Sequence, residues 1–571
     1  MRNRQRGAYS FLFLIVLIAG GLLVFALAAD GARLYAQQRI LQQQADAAAL
    51  GAAQYTQACG SLGVPQESVE QKANEAAARA GYTGTLSGDN VLLGVMESVD
   101  QRLRFVPVAD IERSNAVYVE LTEERPRSLL LPGRLAGTTT LRATAAAKKE
   151  LIATLSPSGN TAIVGGSVDN NNILGALLGG LLNPGSEEPF LLNPTDLRSL
   201  ASTLVSVGEL LDVLGLDNVE QLPLVSGRAL AEALALIGSG LSPVADIVDG
   251  VLEAGGIDTL KVSDLISIVG GSAVPPEANF PLYDLLMALV LNVVGDAVFE
   301  LPDTNVSLAL PAGIASVNID LALSVRAPPR LGMGPARQDA AGEWVTSFSA
   351  PDIELGIKVN VRLVGGGIFP ALIDLNLPLL VRTGQAEGFL DAANCATGMS
   401  NRIELRTQVF TSVANIWTAE VGDSSPGQVE LAIGALLRVP VGLELNLAGR
   451  PDEVTFNAEL VGGRAEARGP ETGYFDPQYY GGGVSQADLR LRFGDPVLID
   501  FLPLPIGGIL NLLTTVVLAP VELLLSRILE YVVSPLLSLV GVSLGKGSVT
   551  LTDAVQTRPQ LIHGVEVLEE P

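Results

Sequence analysis

The longest apolar run of the chain lies at its start. Phe11 to Ala29 reads FLFLIVLIAGGLLVFALAA, 19 residues without a charge. At 1.5 Å per residue this length matches a bilayer core of about 30 Å. Arg2, Arg4 and Arg6 precede the run, and Asp30 and Arg33 close it. Arginines before a span predict a cytoplasmic N-terminus and an exported remainder. A cleaved secretory signal is the alternative, but its apolar region is shorter and ends at a small-residue cleavage site. Here the helical pattern continues from Ala32 to Leu50 without Pro or Gly, rich in Ala, Gln, Leu and Arg. This favours a retained transmembrane helix that runs on into a helical stalk. Pro65 to Ala80 predicts a second helix, with Pro in the first turn, acids early and Gly81 at its end.

Beyond the stalk the period of the apolar positions changes twice. Residues 194–300 show helical spacing in short segments bounded by Gly, Ser or Pro, such as LRSLASTLVSVGELLDVLGL and PLYDLLMALVLNVVGDAV. After residue 300 the period becomes two. Val317 to Arg326, Ile353 to Leu363, Val439 to Leu447, Val454 to Leu460 and Ala487 to Phe493 alternate apolar and polar residues. Such alternation predicts antiparallel strands with one buried and one wet face. Phe501 to Val521 carries no charge, yet Pro503, Pro505, Gly507, Gly508 and Pro520 interrupt it. Buried core helices are favoured there over a second span.

These elements predict an α+β protein. A transmembrane anchor (1–30) leads into a stalk with a small pilin-like α+β domain (31–155). A Gly/Ser/Pro-rich linker (156–193) and a helical region (194–300) follow. An antiparallel β-rich domain, sandwich or tube-like, covers 301–500. Apolar helices and a terminal strand complete the chain (501–571).

Composition narrows the chemistry. Hydrophobic residues make up 48% of the 571 positions and charged residues 17%, so the material for large cores is present. The formal charge of −25 repels phosphate backbones and argues against nucleic-acid binding. A single histidine, His563, leaves little for acid–base or His-ligated metal chemistry. No cofactor motif is present. Gly541 to Gly545 spells GxSxG, but an apolar helix-like run precedes Ser543 and a strand-like GSVTLTDAV follows. The nucleophile elbow needs the reverse order, and His563 comes 20 residues after the serine with Asp553 between them, which leaves no room for the rest of a hydrolase sheet. No catalytic residue is therefore assigned.

Asp169 to Asn172 lacks the spaced acids of a calcium loop, and Gly365 to Gly367 and Gly481 to Gly483 lack the Lys-Ser/Thr of a phosphate loop. Tyr474 to Tyr480 (YFDPQYY) is a candidate contact patch or loop plug. Two lone cysteines, Cys59 and Cys395, invite a disulfide in an oxidising compartment.

The first quarter of the chain resembles a known family. Residues RQRGAYSFLFLIVLIAGGLLVFALAADGARLYAQQRILQQQADAAALGAA, then NAVYVEL at 115–121 and GTTTLRATAAA at 137–147, are similar to the N-terminal module of TadG-like Flp pilus-assembly proteins of the bacterial tight-adherence system. The resemblance covers about residues 1–155. It implies a non-catalytic, membrane-anchored component of pilus assembly or surface adhesion. It also implies a bacterial inner membrane location, the bulk of the chain in the periplasm, and other pilus-assembly or envelope proteins as partners. Pilin-like members of this system are cut after a glycine followed by glutamate five residues on. Here Leu12 occupies that place after Gly7 and the first glutamate is Glu67, which favours an uncleaved anchor. The alternative reading is an envelope protein that binds lipid or another hydrophobic ligand in a groove between the amphipathic strands and the apolar helices.

Overall fold

The computed structural model describes residues 4–60, 66–157, 200–498 and 547–567, apart from short internal stretches. The chain is α+β. Helix α1 (Arg4–Ala52) is a single rod. Its first half stands free, with Phe11 to Phe25 largely exposed, and it is long and apolar enough to cross a membrane.

The second half of α1 packs at once into a module. Leu41, Ala45, Ala48, Ala49 and Ala52 are fully buried. They meet Val69, Ala73 and Ala77 of α3 (Gln66–Arg79), and Val91, Val117, Val119, Leu121 and Ala145 of the sheet. The QQQADAAALGAA run explains the closeness: a Cβ on Gly51 would lie 2.5 Å from that of Ala76, so only small residues fit where the two helices touch. Four module strands follow: β1 (Val91–Val99), β2 (Arg102–Pro107), β3 (Ala116–Pro126) and β4 (Thr138–Lys148). The outer edge of β4 is served by α1 itself. Gln38 donates to the carbonyl of Arg142 (2.7 Å) and Gln42 to that of Thr144 (2.8 Å). One helical turn along α1 nearly matches two residues along a strand, so a Gln at i and i+4 satisfies carbonyls that no strand pairs.

The chain leaves this module through β5 (Leu151–Pro157) and comes back to it at the end. Strand Gln560–Ile562 pairs with β4 and Glu566–Val567 with β2, so the six-stranded sheet runs 560–562, β4, β3, β1, β2, 566–567. Gly547–Gln556 pairs with β5. The last described strands are thus built into earlier sheets.

Between departure and return lie two further layers. The alternating segments form the predicted strands. Ile314–Ala327, Asp352–Val364, Leu372–Thr383, Leu437–Ala448 and Gln486–Phe493 belong to an antiparallel meander, with Ile357 opposite Leu321 and Leu379. One position in the meander is shared. Ala414–Thr418 and Val429–Ile433 lie end to end between strands 372–383 and 437–448, separated by an excursion of the chain. The helices of 207–294 pack on one face of this meander. The apolar helix Leu282–Val294 supplies Leu285, Leu286, Leu289 and Val290 to a core shared with Val325, Ile353, Leu355, Ile357, Leu379 and Val381.

The opposite face departs from the expected wet surface. Glu354 is buried, bound by Arg326 (2.6 Å) with Arg382 at 3.8 Å, and Leu380, Trp417 and Ala419 form a small core beside it. A carboxylate is tolerated there because two guanidiniums share it.

The second layer is a ten-stranded sheet that contains β5, 547–556, Leu331–Gly334, Ser347–Ser349, Glu387–Asn394, Arg402–Phe410 and Asp452–Val461. It curls back on itself. Arg330 and Ser349 exchange backbone hydrogen bonds of 2.9 and 3.0 Å, joining strand 347–349 to strand 331–334. The barrel-like interior is filled by Leu151, Leu155, Phe348, Leu390, Leu405, Phe456 and Leu551. Among the described residues, two pairings depart from the antiparallel pattern: 331–334 with Ile266–Ile268, and β2 with 566–567.

Candidate functional site

Two junctions carry the functional geometry. The first joins the apolar segment to the module. Asp30 is buried directly after the apolar run, and Arg33 lies 3.9 Å from it while donating to the carbonyl of Pro126 at the end of β3. No spacer separates the apolar segment from the module, so the two are joined by one continuous helix.

The second junction joins module to barrel. Cys59, in the short helix α2 (Gln57–Gly60), forms a disulfide with Cys395, Cα–Cα 4.9 Å, across 336 residues of sequence. Both cysteines sit in the barrel core. The backbone follows them: Cys395 N–H donates to the Cys59 carbonyl (2.8 Å), and Gly60 bridges to Asn394. Gln57 reaches across to the carbonyl of Asp391 (2.7 Å). Beneath the bridge lies a buried polar network. Lys148 Nζ is 3.0 Å from Glu150, Asn115 donates to Glu150 (2.8 Å), and the Thr557 hydroxyl accepts from the Glu150 N–H. Lys149 is buried too. It donates to the Ala396 carbonyl (3.1 Å), and desolvation lowers its pKa. Nothing in the sequence singles out these three adjacent charges; all three are buried where module, barrel and C-terminal strands meet.

The other candidates disperse. His563 faces α1, 3.5 Å from Asp46 and 3.3 Å from Gln42. Asp553 is occupied elsewhere, held by Arg464 (2.6 Å) and the Asn279 N–H (3.1 Å). The structure does not bring these two together as a catalytic pair. Ser543, Asp169 to Asn172, Gly365 to Gly367, Gly481 to Gly483 and Phe501 to Val521 lie outside the described residues. So does Tyr474 to Asp476, while Gln478–Tyr480 forms a strand beside 547–556. Among the described residues, no three His, Cys, Asp or Glu side chains converge as a metal would require.

One buried acid has no counterpart in the sequence reading. Asp284, in the first turn of helix 282–294, accepts a 2.5 Å hydrogen bond from Ser156 of β5. Burial pushes its pKa up to about 7. It fastens the helical layer to the strand by which the chain leaves the module.

No curated protein and no solved structure matches the chain. Residues 50–147 match a family model described as Tad-like Flp pilus-assembly. The match begins at the end of α1 and ends within β4, enclosing Cys59, α3 and strands β1 to β3. Helix α1 joins it directly to the apolar segment. Over residues 50–147 the chain is therefore similar to the Tad-like Flp pilus-assembly family.

Proposed function

We propose that the chain is a non-catalytic, membrane-anchored component of Flp/tight-adherence pilus assembly or of the surface adhesion it serves. The observation that carries the reading is the family match over 50–147 on a module continuous with an apolar helix. In this reading α1 sits in the bacterial inner membrane with its arginines in the cytoplasm, and the bulk of the chain lies in the periplasm. The Cys59–Cys395 disulfide suits such an oxidising compartment. The continuous helix sets the module at a fixed height above the bilayer. The disulfide and the Lys148–Glu150 network make the barrel turn with it. Other pilus-assembly or envelope proteins are the partners.

The rival reading, a carrier of lipid or other hydrophobic ligands, requires an open apolar surface between strands and helices. Ile353, Leu355 and Ile357 are each at most 1% exposed, packed against the helices. A filled face suits a scaffold. Crosslinking in cells that carry the tight-adherence genes tests the proposal. Crosslinks from residues 50–147 should reach other pilus-assembly proteins. A set of crosslinks confined to proteins outside the pilus system would overturn it.

A further inference from the structure

Where the chain leaves the module, a primary amine, a carboxamide and a carboxylate meet in one dry cluster. Lys148 ends β4, Glu150 directly precedes β5, and Asn115 directly precedes β3. The β3–β4 register places Ala116 opposite Lys148, which brings the lysine beside Asn115. Asn115 and Glu150 are fully buried, and Lys148 is 4% exposed. Two-residue alternation sets Lys148 on the same face as Ala146, with Ala116 and Tyr118 across from them. That face belongs to a core completed by Met96 and Phe105.

Every polar atom of the carboxamide and the carboxylate is placed. One oxygen of Glu150 accepts the Asn115 side-chain N–H at 2.8 Å, and Lys148 Nζ lies 3.0 Å from the other oxygen. Asn115 Oδ1 accepts the Met96 N–H at 2.9 Å. The Glu150 backbone is pinned by the Thr557 hydroxyl, which accepts its N–H at 2.9 Å. Amine and carboxamide are therefore held on the two oxygens of a single carboxylate. A buried ion pair by itself contributes little once desolvation is counted. The added carboxamide supplies an electrophile. The cluster then has the parts of an acyl transfer: a nucleophile beside a base, an N–H donor on the oxygen where negative charge develops, and the exclusion of competing water.

We propose that Lys148 and Asn115 become joined by an intramolecular isopeptide bond, with Glu150 as the proton carrier. Glu150 takes a proton from the Lys148 ammonium, and the neutral amine attacks Asn115 Cγ. The Met96 N–H holds the charge that gathers on Oδ1. Glu150 returns its proton to Nδ2, the Cγ–Nδ2 bond breaks, and ammonia leaves. The surplus proton on Nζ passes through Glu150 to the ammonia. One ammonium side chain and one primary amide become one secondary amide and one ammonium ion, so atoms, electrons and charge balance without an oxidant or cofactor. The step happens once per molecule and has no turnover. The bond closes the β3–β4 hairpin into a covalent ring. Tension arriving through β5 then passes to the start of β3 instead of peeling β4 away. The chemistry needs only these residues, so it stands or falls separately from the pilus-assembly reading.

Mass spectrometry of the purified full-length protein tests the bond. The intact wild type should be lighter, by one ammonia, than its sequence and disulfide require. Proteolysis after reduction should yield one branched peptide that joins the segment containing Asn115 to the segment containing Lys148. Lys148→Arg and Asn115→Ala should each restore the full mass and lose the branched peptide. Glu150→Gln keeps an oxygen for the Asn115 N–H but cannot carry the proton; molecules of this variant that retain the Cys59–Cys395 disulfide should also lack the link. The wild-type measurement stands even where a variant fails to fold. A wild type at full mass, or a missing ammonia without a peptide branched between these two residues, would sink the proposal. A link that persists in Glu150→Gln would do the same.

Discussion

Asp284→Asn should stabilise the protein, and more so at higher pH. Asp284 is buried, its carboxyl accepts a hydrogen bond from Ser156, and desolvation raises its pKa from 3.8 to about 7. A carboxyl whose folded value is raised stabilises least when ionised. Its contribution is intact below pH 3.8 and is lost as pH rises through about 7. At about 1.4 kcal/mol per pH unit of difference, the raised pKa costs about 2 kcal/mol near pH 5, where the unfolded carboxyl ionises and the folded one stays protonated, and about 4 kcal/mol near pH 8, where both are ionised. Asparagine keeps an oxygen for the Ser156 hydroxyl and carries no charge. The variant should therefore gain more at pH 8 than at pH 5, by about 2–3 kcal/mol. Asp553, also raised by burial although paired with Arg464, titrates in both proteins and cancels in the comparison. Urea denaturation of wild type and variant at the two pH values reads the difference. An equal gain at both, or a loss at pH 8, would refute the reasoning that a desolvated, weakly partnered carboxylate sits under helix 282–294.

Other perturbations probe the remaining joints. Ile357→Asp removes a buried side chain worth about 1.5–3 kcal/mol and places a charge against Leu and Val; the part of the chain beyond α1 should become insoluble or protease-sensitive, and a folded variant accompanied by lipid bound to the wild type would favour the carrier reading. Cys59→Ser with Cys395→Ser should cost about 2–5 kcal/mol and loosen the barrel from the module, read as faster proteolysis between residues 57 and 90; unchanged proteolysis would show that the Lys148–Glu150 network holds the junction alone. A periplasm-active reporter fused after residue 155 should be active and a cytoplasm-active one silent, and the reverse pattern would invert the orientation.

Much of this architecture was legible because it is local. Alternation in VNIDLALSVR and IELGIKVNVRL reports a strand wherever its partner lies, and the apolar run with the Ala- and Gln-rich stretch after it reports a long helix. What stayed hidden depends on distant partners. Nothing near Gln560 or Glu566 shows that these residues pair with β4 and β2, more than 400 positions earlier. The Lys148–Lys149–Glu150 triplet carries no local sign of burial because its partners Asn115, Ala396 and Thr557 come from three other segments. Asp284 begins a helix, where an acid is ordinary, and only the packing of β5 against it makes the carboxyl unusual.

The claim that this chain works in pilus assembly as an anchored scaffold is tested most directly by counting surface Flp pili in a strain that lacks it. Complementation would use the full chain, or a version in which a cleavable secretory signal replaces residues 1–30. The account predicts few or no pili in the deletion strain, restoration by the full chain, and failure of the unanchored version although it is exported and disulfide-bonded. Normal pili in the deletion strain, or full rescue without the anchor, would contradict it.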